Sequence, residues 1–290
     1  MSATALALIL VAALAHATWN LFSKQASAAG ASSFVWLMSL VATGLYAPVV
    51  AASVLLAPPR LTPLDWVFMT GTGLLQAGYF LFLQAGYRLG DLSLVYPLGR
   101  GTGALLAALA GITLLGERPG PAGITEIVLV VLGVLVLGAP ARTADSSASP
   151  ASRAIIFALV TGMFIASYTL WDKYAVSTLR VPPLLQGYAS LPVMALVLAP
   201  FALRQRARTT RVWRRYRRQV AGAAVLSPLA YVLVLIAMSF TAVSAVAPAR
   251  EVSVLAGVIL GRRLLGEGSL ARRLTAAAAI AAGIVCIAVG

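Results

Sequence analysis

Four residues near the start of the chain could form one chemically useful helical face. His16, Trp19, Asn20 and Lys24 stand at positions i, i+3, i+4 and i+8, and residues with this spacing share a face of an α-helix. An imidazole and an amide offer hydrogen bonds, while an indole offers apolar contact, so this face suits a small amphipathic molecule. The alternative is anchoring at a membrane interface, where tryptophan gathers, but His16 and Asn20 lie deeper in the apolar run.

A second segment, half a chain later, resembles the first. WNLFSK (19–24) is similar to YTLWDK (168–173) at an offset of 149 residues. In the second copy Tyr168, Trp171 and Asp172 take positions i, i+3 and i+4, again on one helical face. The two equivalent faces are therefore predicted to line one cavity.

Two arginines lie inside long apolar stretches. Arg100 and Arg250 follow Pro97 and Pro248, respectively, at the same offset of 150 residues that relates other repeated positions. A charge inside a membrane is costly and normally faces the protein interior or a wet cavity. Either arginine could bind an anionic group such as a carboxylate through its two-pronged guanidinium. The structural alternative is pairing with a helix carbonyl end or with a carboxylate such as the adjacent Glu251.

Amides and phenols within the predicted helices form a further set of candidates. Gln76, Gln84, Tyr79, Tyr96 and Tyr231 need hydrogen-bond partners if they are buried. Contacts between helices are their favoured role, and Tyr79 and Tyr96 are also candidates for substrate binding. The candidate substrate-binding residues are His16, Trp19, Asn20, Tyr79, Tyr96, Arg100, Tyr168, Trp171 and Arg250.

Charged residues near helix ends are predicted to be structural or to act in gating. The only two lysines of the chain occupy the same repeated position, and LLGE occurs twice, at 114–117 and 264–267. The glutamate that closes each LLGE is more consistent with capping or bracing a loop than with proton coupling. The candidate structural or gating residues are Lys24, Asp172, Lys173, Glu117, Glu251 and Glu267.

The composition requires a lipid environment for these elements. Hydrophobic residues make up 60% of the 290 residues, charged residues only 10%, and the mean hydropathy is +0.93. A soluble domain has about 25% charged residues. One histidine and one cysteine cannot build a multi-histidine or cysteine metal site, and no phosphate-binding glycine loop of the GxxxxGK type occurs. No metal, no cofactor and no enzymatic activity are therefore expected.

About 20 apolar residues form one membrane-spanning helix, and the sequence predicts ten of them. They cover roughly 3–23, 33–56, 64–87, 92–115, 122–139, 154–174, 183–203, 220–240, 243–262 and 270–289. The halves are 1–139 and 153–290, joined by a polar linker at 140–152. Because each half has an odd number of spans, the second half must enter the membrane upside down, as in many secondary transporters. The fold class is therefore an all-α membrane protein with two inverted five-helix repeats.

Basic residues are distributed unevenly between the two sides of this arrangement. Sixteen fall in the odd-numbered loops and four in the even-numbered ones. The positive-inside rule then places the odd loops in the cytoplasm and both termini outside. Eight of the sixteen lie at 204–218 and are predicted to contact anionic lipid headgroups. Nucleic acid is not an expected partner.

Three motifs resemble the drug/metabolite transporter superfamily, in particular its ten-helix EamA-domain transporters. They are HATWNLFSK (16–24), YRLGDLSLVYPLGRGTGALLAALAGITLLGERP (87–119) and AVAPAREVSVLAGVILGRRLLGE (245–267). The resemblance implies a central cavity surrounded by the first, third, fourth, sixth, eighth and ninth spans, with the fifth and tenth bracing it. It also implies cytoplasmic termini, which the charge count contradicts.

Residues and resemblance together predict a secondary transporter in the plasma membrane, most often an exporter of a small metabolite that is amino-acid-like or otherwise carboxylated. Transport would occur by alternating access around the cavity, and the protein is expected to be a monomer or a weak homodimer. Two alternatives are a membrane scaffold or sensor without flux, and a lipid-modifying enzyme. The enzyme is disfavoured because no cluster of acidic residues or histidines occurs at one depth.

Overall fold

The computed structural model describes 2–118 and 150–250 without interruption. It also describes isolated residues at 120–121, 124–125, 127–129, 132, 253, 256–257, 260, 263–264, 278 and 282. Every regular element in these ranges is an α-helix. The helices are α1 (Ala3–Ala26), α2 (Ala31–Leu56), α3 (Pro63–Leu89), α4 (Leu92–Leu114), α5 (Pro150–Ser177), α6 (Pro183–Arg204), α7 (Arg206–Phe240) and α8 (Val243–Ala249). Seven helices in this part of the chain are long and apolar enough to cross a membrane.

The observed helices follow the predicted spans, with three differences. Helix α8 ends at Ala249, inside the predicted ninth span 243–262, and only some of the residues that follow are described. Helix α5 begins at Pro150, so the last three residues of the predicted linker are helical. The arginine-rich stretch, predicted as a polar connection, belongs to α7. Most of the fifth and tenth predicted spans, 122–139 and 270–289, lie outside the described residues, so ten helices remains a prediction.

Local sequence explains where several helices begin. Thr62 and Asp65 form a reciprocal capping box at the start of α3, with Pro63 at the first helical position. The capping box supplies acceptors to unpaired backbone N–H groups of the first turn. Proline has no N–H group, so none is left unpaired at its position. Ser2 accepts a hydrogen bond from the Ala5 N–H at 3.2 Å and caps α1 in the same way.

Helix α7 is bent and unusually long. Its 35 residues would span about 52 Å at 1.5 Å per residue, well beyond the ~30 Å hydrocarbon core of a bilayer. Tyr216 has non-helical backbone angles and divides α7 into an arginine-rich first segment and an apolar second segment. The first segment can therefore extend out of the hydrocarbon core while the second crosses it.

Several helix contacts of one half recur as equivalent contacts in the other half. Helix α1 packs against α7, and the equivalent helix α5 packs against α3. Helix α3 packs against α6, and the equivalent helices α7 and α2 also pack together. Two further pairs, α2 with α6 and α4 with α8, each join a helix to its own equivalent in the other half. Exchanging α1–α4 for α5–α8 therefore preserves these interfaces.

Equivalent helices of the two halves run in opposite directions. Lys24 near the end of α1 reaches the end of α3 at Gly90, so these two helices are parallel. Trp171 near the end of α5 contacts Phe68 near the start of α3, so α5 is antiparallel to α3 and hence to α1. The side that carries the α1–α2 turn and the start of α7 is called the basic end. The side that carries the end of α5 is called the opposite end.

Close helix contacts also recur in both halves. A Cβ atom added at Gly222 would lie 2.5 Å from the Phe22 ring, where α7 meets α1. A Cβ atom added at Gly71 would lie 2.5 Å from the Trp171 ring, where α3 meets α5. The missing side chain lets helices approach closely, which is a major source of helix association in membranes.

The outer surface of the bundle is apolar. Leu14, Leu56 and Leu196 are 64%, 87% and 74% exposed, respectively, and many other large apolar side chains are exposed along the helices. Apolar exposure on this scale is unfavourable in water. It is the expected surface of a protein whose solvent is lipid.

Replacing Gly222 with valine should destabilise the α1–α7 contact. The added side chain meets the Phe22 ring, and overpacking of this kind costs about 1–3 kcal/mol. Thermal unfolding of the detergent-purified protein measures the effect. The matched control is Gly44→Val, because a Cβ atom at Gly44 meets nothing within 4 Å. Equal unfolding temperatures for the two variants would contradict the packing argument.

Candidate functional site

Six side chains from both halves form a buried central cluster. His16 comes from α1, Tyr79 from α3, and Tyr96 and Arg100 from α4. Tyr168 comes from α5 and Arg250 follows α8. Each is less than 9% exposed. His16 and Tyr79 both lie within electrostatic range of Arg100 and Arg250, so these four side chains share one region of the interior. The sequence places these residues up to 234 positions apart, and the fold brings them together.

His16 is oriented by its neighbour on the same helix. The Trp19 indole N–H donates to His16 Nδ1 at 3.2 Å, and the two rings meet edge to face with centroids 5.6 Å apart. Because the accepting nitrogen carries no proton, a neutral His16 carries its proton on Nε2. The Nε2–H group can therefore donate a hydrogen bond to another acceptor. Trp19 itself is buried against Phe80.

Three tyrosines form an aromatic row across the interior. The Tyr79 and Tyr168 ring centroids lie 5.6 Å apart, and those of Tyr168 and Tyr231 lie 6.0 Å apart, both in edge-on geometry. Edge-to-face contacts of this kind are favourable for aromatic rings. The row connects α3, α5 and α7 and offers both apolar ring faces and hydroxyl groups.

The two arginines bring positive charge into the cluster. Arg100 is 2% exposed and Arg250 is 4% exposed. Within the described part of the chain, Nε and Nη2 of Arg250 have no hydrogen-bond partner. Buried N–H groups of a cation are costly when they lack an acceptor. The Arg250 guanidinium is therefore suited to an acceptor that the protein does not supply in this region, such as a carboxylate.

Tyr96 and Ser253 tie the two halves together beside the arginines. The Tyr96 hydroxyl and the Ser253 hydroxyl lie 2.7 Å apart and are hydrogen-bonded. Tyr96 stands four residues before Arg100 in α4, and Ser253 three residues after Arg250. A hydrogen bond between the two halves therefore lies about one helical turn from each arginine along the chain.

Two predicted binding residues lie apart from the central cluster. Asn20 is fully buried, donates to the His16 carbonyl at 2.8 Å and accepts the Tyr87 hydroxyl at 2.6 Å. Its amide links α1 to α3. Trp171 donates to the Phe68 carbonyl at 2.8 Å and stacks on the Phe68 ring, in the groove between α3 and α5.

Asp172 is the centre of a second buried polar group, the Asp172 network. The carboxylate accepts hydrogen bonds from the Thr72 hydroxyl, the Gln186 amide and the Tyr231 hydroxyl. These donors belong to α3, α6 and α7, so a single carboxylate on α5 ties four helices. Asp172 is 0% exposed, and it lies about 8 Å from the end of α5, on the side of the opposite end.

Both lysines bind the last turn of a helix. Lys24 Nζ donates to the carbonyls of Tyr87 and Gly90 at the end of α3, both at 2.7 Å. Lys173 Nζ donates to the carbonyls of Met238 and Thr241 at the end of α7, both at 3.0 Å. The last carbonyls of a helix have no intrahelical partner and carry partial negative charge, so an ammonium group is favourable there.

Glu117 makes a contact of the complementary kind. Its two carboxylate oxygens accept the backbone N–H groups of Val243 and Ser244 at 2.9 Å. These N–H groups belong to the first turn of α8, where negative charge is favourable. The geometry is that of a helix cap across the two halves. Glu251 and Glu267, the other predicted structural glutamates, lie outside the described residues.

The sequence did not single out Thr72 or Gln186. A threonine in an apolar helix commonly bonds to its own backbone and gives no signal of a distant partner. Gln186 carries a weak signal, because an amide in an apolar span needs partners. Tyr231 and Gln84 were predicted to hold helices together, and Gln84 donates to the Ser23 hydroxyl at 2.8 Å. Among the described residues, no group of three potential metal ligands occurs.

These features define a multi-pass helical membrane protein with two equivalent halves and a buried polar centre between them. The family model of the "EamA-like transporter family" matches 3–139 and 152–289, almost the whole chain. The chain belongs to the EamA-like transporter family, whose members are transporters rather than enzymes.

Other comparisons concern the fold alone. Among 28 similar chains of solved structures, one titled only "Crystal structure of protein" has a TM-score of 0.69 and 17% sequence identity. The alignment covers 100% of this chain and 98% of that one. A search of curated proteins finds no match.

Removing the Lys24 ammonium should destabilise the end of α3. Lys24→Met leaves the Tyr87 and Gly90 carbonyls without their cationic partner, at a cost of about 1–3 kcal/mol. Thermal unfolding in detergent measures this loss. Arg88→Met is the matched control, because Arg88 is an exposed cation in the last turn of the same helix. A similar loss in both variants would mean that general charge, rather than the carbonyl contacts, stabilises this end.

Proposed function

We propose that this protein is a secondary transporter that moves a small carboxylated or amino-acid-like metabolite through the centre of the bundle. The observation that supports the proposal best is the position of Arg100 and Arg250. They occupy equivalent positions of the repeat, both are buried, and both lie within electrostatic range of His16 and Tyr79. Transporters built from repeats bind substrate near the midplane where the halves meet.

The proposed architecture is ten helices in two inverted halves. The opposite directions of α1 and α5 support the inversion, as does the equivalence of the α1–α7 and α5–α3 interfaces. The family match to 3–139 and 152–289 supports two copies of one unit. In this arrangement α5 is the sixth span of the membrane domain, and α8 belongs to the ninth.

The chemistry of the cluster favours a carboxylate. The guanidinium of Arg250 offers two N–H groups that lack acceptors in the described part of the chain, and an arginine fork matches the two oxygens of a carboxylate. His16 Nε2–H and the hydroxyl of Tyr79 are further donors. The tyrosine row offers apolar surface to the rest of the substrate. We propose His16, Tyr79, Arg100, Tyr168 and Arg250 as the binding residues.

Alternating access requires a closure on each side of the substrate. We propose that the Asp172 network closes the opposite end, because one carboxylate joins four helices there. The repeat-equivalent position of Asp172 is Ser23, whose hydroxyl bonds only to Gln84 in the described structure and joins two helices. Closure is thus built differently on the two sides, which lets the bundle favour one open state.

Orientation and direction form a separate part of the proposal. The charge bias favours a cytoplasmic basic end, with both termini outside, whereas the resemblance favours cytoplasmic termini. We propose a plasma-membrane location and an outward direction, both of which rest on the resemblance alone. Labelling of a cysteine introduced at exposed Ala28, on the basic end, with an impermeant reagent in intact cells would decide the orientation.

Changing Arg250 to glutamine should abolish most substrate binding and transport. Loss of charge-assisted hydrogen bonds to a carboxylate costs about 1.5–3 kcal/mol, which corresponds to about 10- to 100-fold in affinity. A thermal-shift screen of amino acids and small carboxylates identifies a ligand, and uptake of that labelled ligand into proteoliposomes measures flux. Arg250→Lys keeps the charge but loses the fork, and should show an intermediate effect.

The control for that experiment is Arg60→Gln, which removes an exposed arginine from the α2–α3 loop. Its flux should match that of the unaltered protein. Unchanged flux in both Arg250→Gln and Arg100→Ala would rule out the proposed site. A protein that is folded by thermal unfolding but moves none of the compounds would favour a scaffold or sensor.

Changing Asp172 to asparagine should loosen the opposite end. Asparagine has an NH2 group in place of one carboxylate oxygen. This group cannot accept the hydrogen bonds that the surrounding side chains donate to Asp172, so the connection between the four helices weakens. The native Cys286 is first replaced by serine. A cysteine is then introduced at buried Ser190, one turn from Gln186 in α6, where its labelling reports the opening. We expect faster labelling by a membrane-impermeant thiol reagent than in Asp65→Asn, the control on α3. Equal labelling in both variants would contradict the proposed closure.

A further inference from the structure

The arginine-rich segment forms a defined pocket at the basic end. Arg204, Arg206, Arg208 and Arg211 line a cavity of about 520 Å³ together with Ala28 and Ala29. These residues belong to the end of α6, the start of α7 and the turn between α1 and α2. We call this cavity the arginine pocket. The central cluster does not include it, and transport as proposed above does not use it.

The pocket is held in shape by hydrogen bonds. The Arg208 Nε–H donates to the Ala29 carbonyl at 2.7 Å, and an Arg208 Nη1–H donates to the Gln205 side chain at 3.3 Å. Gly30 leaves room for this arginine, since a Cβ atom there would lie 2.7 Å from Arg208 Nε. Arg208 thus holds the α1–α2 turn against α7, and the other three arginines surround the opening.

Two hydrogen bonds beside the pocket hold the start of α7 against α2 and against the end of α6. The hydroxyls of Thr209 and Ser33 lie 2.9 Å apart, and Thr209 also donates to the Ala202 carbonyl at 2.9 Å. Val212 is fully buried one turn further along. The first segment of α7 is therefore packed in place by one face, and its arginines project from the other.

Charge at the pocket is wholly positive. None of its lining residues is acidic, and α7 begins at Arg206 with no side-chain cap and no acidic residue in its first turn. The first N–H groups of a helix lack partners and carry partial positive charge. Four guanidinium groups and a helix start meet at one cavity, which is a suitable environment for a phosphate group.

The position of the pocket favours a lipid as the source of that phosphate. Phe201 and Leu203 in the last turn of α6 are exposed, next to Arg204. Trp213 is also exposed, and tryptophan gathers at the boundary between headgroups and hydrocarbon. Exposed apolar side chains suited to acyl chains are therefore close in sequence to arginines that line the pocket, on both sides of it. We expect its arginines to lie at the level of the phospholipid headgroups, because they stand at the junction of an apolar helix and an arginine-rich segment.

We propose that the arginine pocket is a binding site for the phosphate headgroup of an anionic phospholipid. The headgroup phosphate lies among Arg204, Arg206 and Arg211, with Arg208 holding the pocket in shape. The site differs from general attraction between a basic segment and an anionic membrane. General attraction would use all eight arginines of 204–218 equally, whereas this site uses those that line the cavity.

Two matched triple variants of the full chain test the proposal. R204Q/R206Q/R211Q removes three positive charges from the pocket and keeps Arg208, which bonds to Ala29. R214Q/R217Q/R218Q removes three charges from exposed positions of the same helix outside the pocket. Thermal unfolding of each protein in detergent is measured with increasing phosphatidylglycerol and, separately, with phosphatidylcholine.

We expect phosphatidylglycerol to raise the unfolding temperature of the unaltered protein and of the second variant. The first variant should need at least about tenfold more of this lipid for the same shift, since each arginine near an anionic lipid surface contributes appreciably to binding. Native mass spectrometry counts the phosphatidylglycerol molecules retained on folded protein, which gives a result even if the first variant is less stable.

Three results would overturn the proposal. Equal losses in both triple variants would indicate general charge attraction. An equal response to phosphatidylcholine would show that the anionic headgroup is not what is recognised. An equal shift with glycerol phosphate alone, without lipid, would assign the pocket to a soluble phosphate compound.

Discussion

The absence of water from the bilayer core governs this structure, because every polar group placed there must find its partner within the protein. Backbone groups do so by forming helices. At helix ends the constraint acts on side chains, and Lys24 and Lys173 each supply an ammonium group to two carbonyls of a final turn. The same constraint explains why Asp172, which is fully buried, has three donors from three other helices.

Polar groups that are not fully satisfied are informative against this background. Two guanidinium nitrogens of Arg250 lack acceptors in the described part of the chain, and Arg250 belongs to the same buried cluster as His16 and Tyr168. A buried cation without an acceptor costs several kcal/mol, and for this reason we propose that a ligand binds at these nitrogens. The contacts of both lysines and of Glu117 lie at helix ends, and the groups that we propose for a ligand lie between the two halves.

The repeat explains why symmetry and asymmetry occur together. Phe22 against Gly222 and Trp171 against Gly71 are equivalent contacts, so packing has been kept in both halves. Polar chemistry has diverged, because Asp172 stands where the first half has Ser23. Two identical closures would make the two sides of a transporter equivalent in energy. In the transport scheme proposed above, different polar groups at equivalent positions would hold one side closed more firmly than the other.

Apolar runs, turn residues and repeated motifs determined much of this protein from the sequence alone. They gave the helical class, most helix bounds, the two related halves and the pairing of Arg100 with Arg250, because hydrophobic length and internal similarity are properties of the chain itself. Tertiary structure decided which polar residues meet. Asn20 and Trp171 share helical faces with His16 and Tyr168 but bond to other helices, and Thr72 and Gln186 join Asp172 without any local signal. A hydrogen bond between helices depends on their separation, direction and rotation, and one helix's sequence fixes none of these.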